Sequence, residues 1–162
     1  MRDPDTDWVL PLSTFVLALS LSVVPLPGVV ATFRPDWVPL AIIYWAIVAP
    51  ERFGLLTAMW LGLAADTLTG SLLGQHALAM LVVGYLCLRF HLRIRIFPVW
   101  QMSMSVLFML AIYEFVLFWI DGAVGRTVPY VERWAPVITG VLLWPLILGT
   151  LDRIRQDNKA RV

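Results

Sequence analysis

Long apolar runs dominate this chain and leave few ways for it to fold. Six of them follow one another, and no connection between them is long enough to hold a water-soluble domain. Hydrophobic residues make up 60% of the 162 residues and charged residues only 14%, whereas a soluble domain carries about 25% charged residues. A small aqueous core has no room for this apolar excess, so the sequence predicts a polytopic helical membrane protein.

The predicted fold is an all-α integral membrane domain, a six-helix bundle formed by residues 1–162 as one unit. The expected helices cover residues 8–25, 37–50, 53–72, 75–92, 98–121 and 134–152. A spanning helix needs about 20 residues, so the second segment is short. It is either re-entrant, or it spans by borrowing residues before Trp37.

Lysines and arginines set the predicted orientation. With six spans, nine of the twelve fall on one side, which the positive-inside rule makes cytoplasmic. These nine are Arg2, Arg52, Arg89, Arg93, Arg95, Arg153, Arg155, Lys159 and Arg161. We therefore expect a multi-pass inner-membrane protein with both termini in the cytoplasm. The net charge of +1 and the lack of a basic tract argue against nucleic-acid binding.

Two acidic residues, Asp66 and Glu114, lie well inside apolar runs. An ionised side chain at the bilayer centre costs about 3 kcal/mol on insertion scales, so each acid is expected to face protein. Counting along the two predicted helices places both in the outer half of the membrane. They are structural braces, or they form a proton or ligand site, a catalytic pair, or a contact for a partner's helix.

The predicted Asp66 face is rich in small or polar residues, with Ala58, Gly62, Thr69 and Gly70 close to the acid. Small residues at helical spacing let a second helix approach closely. The sequence therefore marks Gly62, Asp66, Thr69 and Gly70, together with Glu114, as candidates for partner binding or for internal polar contacts.

A further cluster is "FRPDWVPL", Phe33 to Leu40. Pro35 stiffens the loop, Asp36 is placed to cap the following helix, and Trp37 is typical of an interfacial anchor. The alternative gives Arg34 a functional role, as the partner of Asp66 or Glu114 in the outer half of the membrane.

The same residues form no recognisable catalytic or metal-binding motif. The acid at Asp66 follows "LAA", not the glycine-x-glycine-aspartate run of intramembrane aspartyl proteases, and no zinc-type Cys/His spacing occurs. His76 and His91 are interpreted as interfacial residues. We therefore predict no catalytic residue, no metal and no cofactor, and hence no enzyme.

Four stretches resemble the bacterial rod shape-determining protein MreD family. They are "FRPDWVPLAIIYWAIVAPERFG", "GLAADTLTGSLLGQHALAM", "FVLFWIDG" and "GVLLWPLIL", in this order from about Phe33 to Leu148. The residues that match the family pattern are Arg34, Pro35, Trp37, Asp66, Gly70, Gly74, Glu114, Trp144 and Pro145.

The resemblance implies a non-catalytic scaffold of the cell-elongation machinery and a fold like the substrate-binding component of vitamin (ECF-type) transporters. It implies binding to MreC through that protein's transmembrane helix and juxtamembrane segment. Indirect partners would be the actin-like MreB, the SEDS glycosyltransferase RodA and a class-B penicillin-binding protein, within a shell of membrane lipids. Two alternatives stay open: a small-molecule or lipid binding or transport component, and an intramembrane hydrolase that uses Asp66 and Glu114.

Overall fold

The computed structural model describes residues 6–160, and these form seven helices with no strand among them. The helices are α1 (Thr6–Val23), the short α2 (Val29–Thr32), α3 (Trp37–Val48), α4 (Leu55–Thr69), α5 (Gln75–Arg95), α6 (Val99–Val124) and α7 (Tyr130–Ala160). Leaving aside the four-residue α2, this is the expected six-helix, all-α architecture. Arg2, Arg161 and the side chain of Lys159, which entered the orientation argument, lie outside the described part.

The helix α3 is the centre of the bundle. It contacts α1, α4, α5, α6 and α7, and those five pack against one another in the order α1, α4, α5, α6, α7. Every side chain from Val38 to Ile47 is buried, which accounts for an apolar run without amphipathic periodicity.

The short second segment is a helix of 12 residues, or about 18 Å at 1.5 Å per residue. That is well short of the ~30 Å hydrocarbon core. It gains no helical residues before Trp37, because the chain from residue 33 to residue 36 is not helical. Its side chains are covered by other helices, so its length does not need to match the bilayer.

Two hydrogen bonds fix α3 against its neighbours. The Trp45 Nε1 donates to Thr14 Oγ1 of α1 at 2.8 Å. The Tyr44 hydroxyl donates to Asp152 Oδ1 of α7 at 2.7 Å. Each bond satisfies a polar atom of an otherwise apolar helix, which matters where no water can replace the partner.

The last helix is longer than expected at both ends. It begins at Tyr130 and continues to Ala160 with Pro136 and Pro145 inside it. Four residues before the expected start at 134 are therefore helical. Arg133 accordingly lies in the first turn of α7, where its direction is fixed by the helix, and not in a loop.

The antiparallel neighbours give the bundle two different ends. At the carboxylate end, α4 and α6 finish and α3, α5 and α7 begin, and this end holds Asp36, Asp66, Glu114 and Asp121. At the arginine end, α3, α5 and α7 finish and α4 and α6 begin. That end holds Arg52, Arg89, Arg93, Arg95, Arg153 and Arg155.

Candidate functional site: two buried polar clusters

The first cluster surrounds Asp66 near the end of α4, and its carboxylate accepts four hydrogen bonds from within the chain. Its Oδ1 accepts from Ser71 Oγ at 2.8 Å and from the backbone N–H of His76 at 2.9 Å, and it lies 2.8 Å from His76 Nδ1. Its Oδ2 accepts from the backbone N–H of Gly74 at 2.8 Å. We call Asp66, Ser71, Gly74 and His76 the Asp66 cluster.

These bonds make Asp66 the cap of the next helix. Gly74 is the N-cap residue of α5 and has no side chain to offer, while the first backbone N–H groups of a helix have no partner within it. The Asp66 carboxylate supplies that partner from the preceding helix, and its negative charge complements the positive end of the α5 dipole. A carboxylate with no exposed side-chain surface is thereby stabilised.

The connection between α4 and α5 is shaped by the same residue. Gly70 takes the left-handed conformation at φ 66° and ends α4, and its N–H donates to the Asp66 carbonyl. The N–H of Ser71 donates to that carbonyl as well, at 3.2 Å. Asp66 therefore closes α4 with its main chain and opens α5 with its side chain.

Gly62 lies one turn before Asp66, on the side of α4 that packs against α5. A Cβ built on Gly62 would lie 2.6 Å from the backbone nitrogen of Ala77, closer than real side chains come. The part of the predicted small-residue face around Gly62 is therefore in contact with α5 of the same chain. This geometry fits the internal-brace alternative for Asp66.

The second cluster lies between α6 and α7. The Arg133 guanidinium donates through Nη2 to Asp121 Oδ2 and, at 3.5 Å, through Nη1 to Glu114 Oε2. On the other side of Asp121, Oδ1 accepts from Gln75 Nε2 at 3.0 Å. The carboxyl group of Glu114 in turn lies beside that of Asp36. We call these five residues the Arg133 cluster.

Charge is unbalanced in the Arg133 cluster, because three carboxyl groups face one guanidinium. Two adjacent carboxyl groups repel each other when both are ionised, and the cation in contact with Glu114 is Arg133. Gln75, Glu114, Asp121 and Arg133 are all buried, so removing one partner would leave its neighbours uncompensated.

The first turn of α5 joins the two clusters. Gln75 reaches Asp121 of the Arg133 cluster, and the next residue, His76, reaches Asp66. The ring of Tyr113, next to Glu114 on α6, lies 6.2 Å from the His76 ring. The carboxylate end is thus one continuous polar layer across α3, α4, α5, α6 and α7.

Several expected site residues lie away from these contacts. Thr69 is exposed, and its hydroxyl donates to Ala65 O at 2.8 Å; α4 stops at this residue, so the face that begins at Gly62 does not continue through it. Arg34 Nη1 donates to Val24 O at 2.8 Å, and the cation in contact with Glu114 is Arg133. Trp37 begins α3 and packs half-buried against the core.

The cap predicted for α3 is also different in detail. Asp36 occupies the N-cap position, but its side chain makes no capping hydrogen bond. Only its main-chain carbonyl serves α3, by accepting from the N–H of Leu40 at 3.3 Å. The carboxyl group turns instead to Glu114.

The sequence analysis does not identify five residues of the clusters. It interprets His76 as an interfacial residue, places Arg133 just outside the helix expected to begin at 134, and does not single out Ser71, Gln75 or Asp121 as site residues. The signal for Gln75 and His76 was their place at the start of a helix, directly after a turn that follows an acid. The signal for Arg133 was the count of buried acids, which required a cation nearby.

The chemistry open to these residues is limited by their bonding. Asp66 and Glu114 belong to different clusters, and each carboxyl group already has its own partners. In the part of the chain that the structure describes, no group of three or more His, Cys, Asp or Glu side chains is arranged to hold a metal ion. The arrangement is that of a polar brace between helices.

A small cavity lies elsewhere, between α1, α3, α4 and α5. Its volume is about 10 Å³, close to the space that one water molecule needs. Its lining is almost wholly apolar and includes Phe15, Ile42, Phe53 and Leu88. Neither polar cluster contributes to it.

The fold and the buried polar layer define a class of protein, a polytopic helical membrane protein. Within residues 6–160, Gln75–Arg95, Val99–Val124 and Tyr130–Asn158 are long and apolar enough to cross a bilayer, while Trp8–Val23 and Leu55–Thr69 are shorter apolar helices. Comparison with known proteins gives the family. The sequence model of the rod shape-determining protein MreD family matches residues 4–154, so this chain belongs to the MreD family.

A curated relative agrees with that assignment. The rod shape-determining protein MreD of Haemophilus influenzae is 27% identical over 152 residues, which are 94% of this chain and 94% of the relative. The family match therefore covers both polar clusters. No solved structure matches this chain.

Proposed function

We propose that this chain is a non-catalytic scaffold of the cell-elongation machinery in the bacterial inner membrane. It binds MreC and helps couple cytoplasmic filaments to peptidoglycan synthesis. Its membership of a family described as rod shape-determining carries the proposal. The chemistry is compatible with it, because the buried acids serve to hold helices together and leave no free carboxylate pair for acid–base work.

The proposed mechanism is packing of the MreC transmembrane helix on an outward apolar face of the bundle. Helices associate in lipid through close side-chain packing, and this chain exposes aromatic and aliphatic side chains along α6, including Phe108, Phe115 and Trp119. The polar clusters would keep that face in place without meeting the partner. The complex is tested by co-expressing the tagged chain with MreC and purifying it from membranes.

We expect MreC to co-purify with the wild-type chain, and cells that lack the chain to lose rod shape. Asp66→Asn and Asp66→Leu should lower the yield of complex only as far as they lower the amount of folded chain, which fluorescence-detected size exclusion measures. Alanine at Phe108, Phe115 and Trp119 should lower the yield at constant folded amount, with Leu56→Ala and Trp60→Ala on α4 as the matched control. Absence of MreC from the wild-type preparation contradicts the scaffold.

The proposed orientation places the arginine end in the cytoplasm and the carboxylate end outside. It follows the positive-inside rule and can be tested with thiol reagents, because the native Cys87 is buried and should give a low background. An Arg126→Cys variant should react with a membrane-impermeant maleimide applied from the periplasm, and an Ile96→Cys variant should not. The opposite pattern would invert the topology.

A further inference from the structure

Three arginines near the end of α5 have no acidic partner. Arg89, Arg93 and Arg95 are all exposed, and no acidic side chain pairs with them in the described part of the chain. Arg93 and Arg95 fall in the last turn, where a cation favours the negative end of the helix dipole. That interaction explains their position but leaves three positive charges facing outward.

The acids at this end do not neutralise them. Asp152 accepts the hydrogen bond from Tyr44, and Glu51 and Asp157 are exposed on other segments. The contrast with Arg133 is direct, because Arg133 is buried between two carboxylates. Among the residues that the structure describes, Arg89, Arg93 and Arg95 therefore form a positive surface with no counter-charge beside it.

The depth of these residues matches the headgroup region of a bilayer. The helix α5 has 21 residues, so at 1.5 Å per residue it is about 31 Å long, close to the ~30 Å hydrocarbon core. Arg89 lies six residues before the end of α5, about 9 Å inside it. A long arginine side chain snorkels toward the polar interface and covers part of that distance, so the three guanidinium groups approach the level of the lipid phosphates.

The surface between these arginines is apolar. Leu92, Ile96 and Trp100 are exposed by 71%, 79% and 66%, and they lie within five residues of one of the three arginines along the chain. A soluble acidic partner would cover the charges but would gain nothing from so much exposed hydrocarbon at the same depth. A molecule with an anionic head and an apolar tail complements both.

We propose that Arg89 and Arg93, four residues apart on one face of α5, bind the phosphate of an anionic phospholipid, whose acyl chains lie against Leu92 and Ile96 of the same face, while Arg95 adds positive charge from the other side of the helix. Guanidinium groups suit this ligand because they donate two parallel hydrogen bonds to phosphate oxygens. Basic residues at the edge of a membrane helix attract anionic lipids electrostatically. None of these arginines belongs to the α6 face proposed for MreC.

The test uses the full chain purified in a non-ionic detergent, with dioleoyl phosphatidylglycerol as the probe and dioleoyl phosphatidylcholine as the matched neutral lipid. We expect phosphatidylglycerol to raise the melting temperature by about 5 °C, as a ligand that binds only the folded state does, and phosphatidylcholine to raise it by less than a third of that. The triple variant R89Q/R93Q/R95Q should lose most of the phosphatidylglycerol shift. Arg126→Gln, an exposed arginine at the other end, should keep it.

Native mass spectrometry gives a second measurement that does not depend on unfolding. Wild type and Arg126→Gln should retain phosphatidylglycerol, and the triple variant should retain at least threefold less. An equal thermal shift with phosphatidylcholine or with free inorganic phosphate would overturn the proposal. So would a triple variant that retains as much phosphatidylglycerol as wild type.

Discussion

The two ends of this bundle handle charge in opposite ways. At the carboxylate end, Asp66, Glu114, Asp121 and Arg133 are buried and bonded to one another or to the main chain. At the arginine end, Arg89, Arg93 and Arg95 are exposed and unpaired within the described part of the chain. The first end uses charge to hold helices in register, and the second presents charge to its surroundings.

The difference decides what a mutation does. A buried charge whose partner is removed keeps its desolvation cost, so the loss appears in the stability of the fold. An exposed charge is solvated with or without a partner, so its loss appears only when its external ligand is present. Stability in detergent should therefore be sensitive to changes at the carboxylate end and insensitive to changes at the arginine end.

The largest effect is expected for Arg133→Met. Removing the guanidinium leaves Glu114 and Asp121 buried without a cation, which should cost about 3–5 kcal/mol in the free energy of unfolding. Reversible unfolding in a detergent–denaturant titration measures it. Arg126→Met is the control, and a comparable loss there would remove the distinction between buried and exposed arginines.

Restoring neutrality should rescue that variant. The combination of Arg133→Met with Asp36→Asn, Glu114→Gln and Asp121→Asn leaves no ionisable group in the Arg133 cluster, so it should regain more than half of the lost stability, since replacing a whole buried ion pair is often close to neutral. If the combination is less stable than Arg133→Met alone, the Arg133 cluster is not held together by charge.

A smaller effect is expected for Asp66→Ala. It removes the acceptor of four hydrogen bonds and leaves the N–H groups of Gly74 and His76 without a partner at the start of α5. We expect a loss of about 2–3 kcal/mol, from unsatisfied buried donors and a lost cap. Asp66→Asn keeps an acceptor and should cost about half as much; equal losses in both variants would show that the cap is not the cause.

Gly62→Ala tests the contact between α4 and α5. The added methyl group would meet the backbone of Ala77, and overpacking of this kind costs about 1–3 kcal/mol. Gly122→Ala on α6 is the matched control, because nothing lies within 4 Å of a Cβ built there. Equal stability of the two alanine variants would mean that α4 and α5 are not in close contact.

Tyr44→Phe tests a hydrogen bond in the half of the bundle that is nearer the arginine end. It removes the hydrogen bond to Asp152 while keeping the buried ring, and a single hydrogen bond of this kind contributes about 1 kcal/mol. Asp152→Asn, which still accepts from the hydroxyl, should cost less. A thermal melt of the three proteins side by side makes the comparison, and a larger loss for Asp152→Asn would assign Asp152 another partner.

The class of fold could be predicted from the sequence, because hydropathy alone requires membrane helices and the apolar runs are long. The structure also puts Asp66 and Glu114 against protein, as the cost of a charge in hydrocarbon requires. Whether an acid is buried depends on its own place within an apolar run, so composition and position along the chain are sufficient to predict it.

Which residue an acid pairs with depends on how two separate segments of the chain pack together, and the sequence did not identify those partners. Arg133 was expected just outside a helix that was taken to begin at 134; the helix begins at Tyr130, and those four residues turn Arg133 inward. His76 follows Asp66 by ten residues across a turn, a separation with no helical periodicity to detect. Likewise, Asp36 and Glu114 meet only because α3 lies at the centre of the bundle.

The central position of α3 has a consequence for how the chain is made. Synthesis produces α3 before α5, α6 and α7, the helices that later enclose much of it. A nascent chain that ends after α4 therefore holds twelve apolar residues, too few to cross the bilayer by themselves, without most of their final neighbours. The assembly of this protein can be completed only when its C-terminal half has entered the membrane, so shortened chains should be cleared by quality-control proteases and not accumulate as stable fragments.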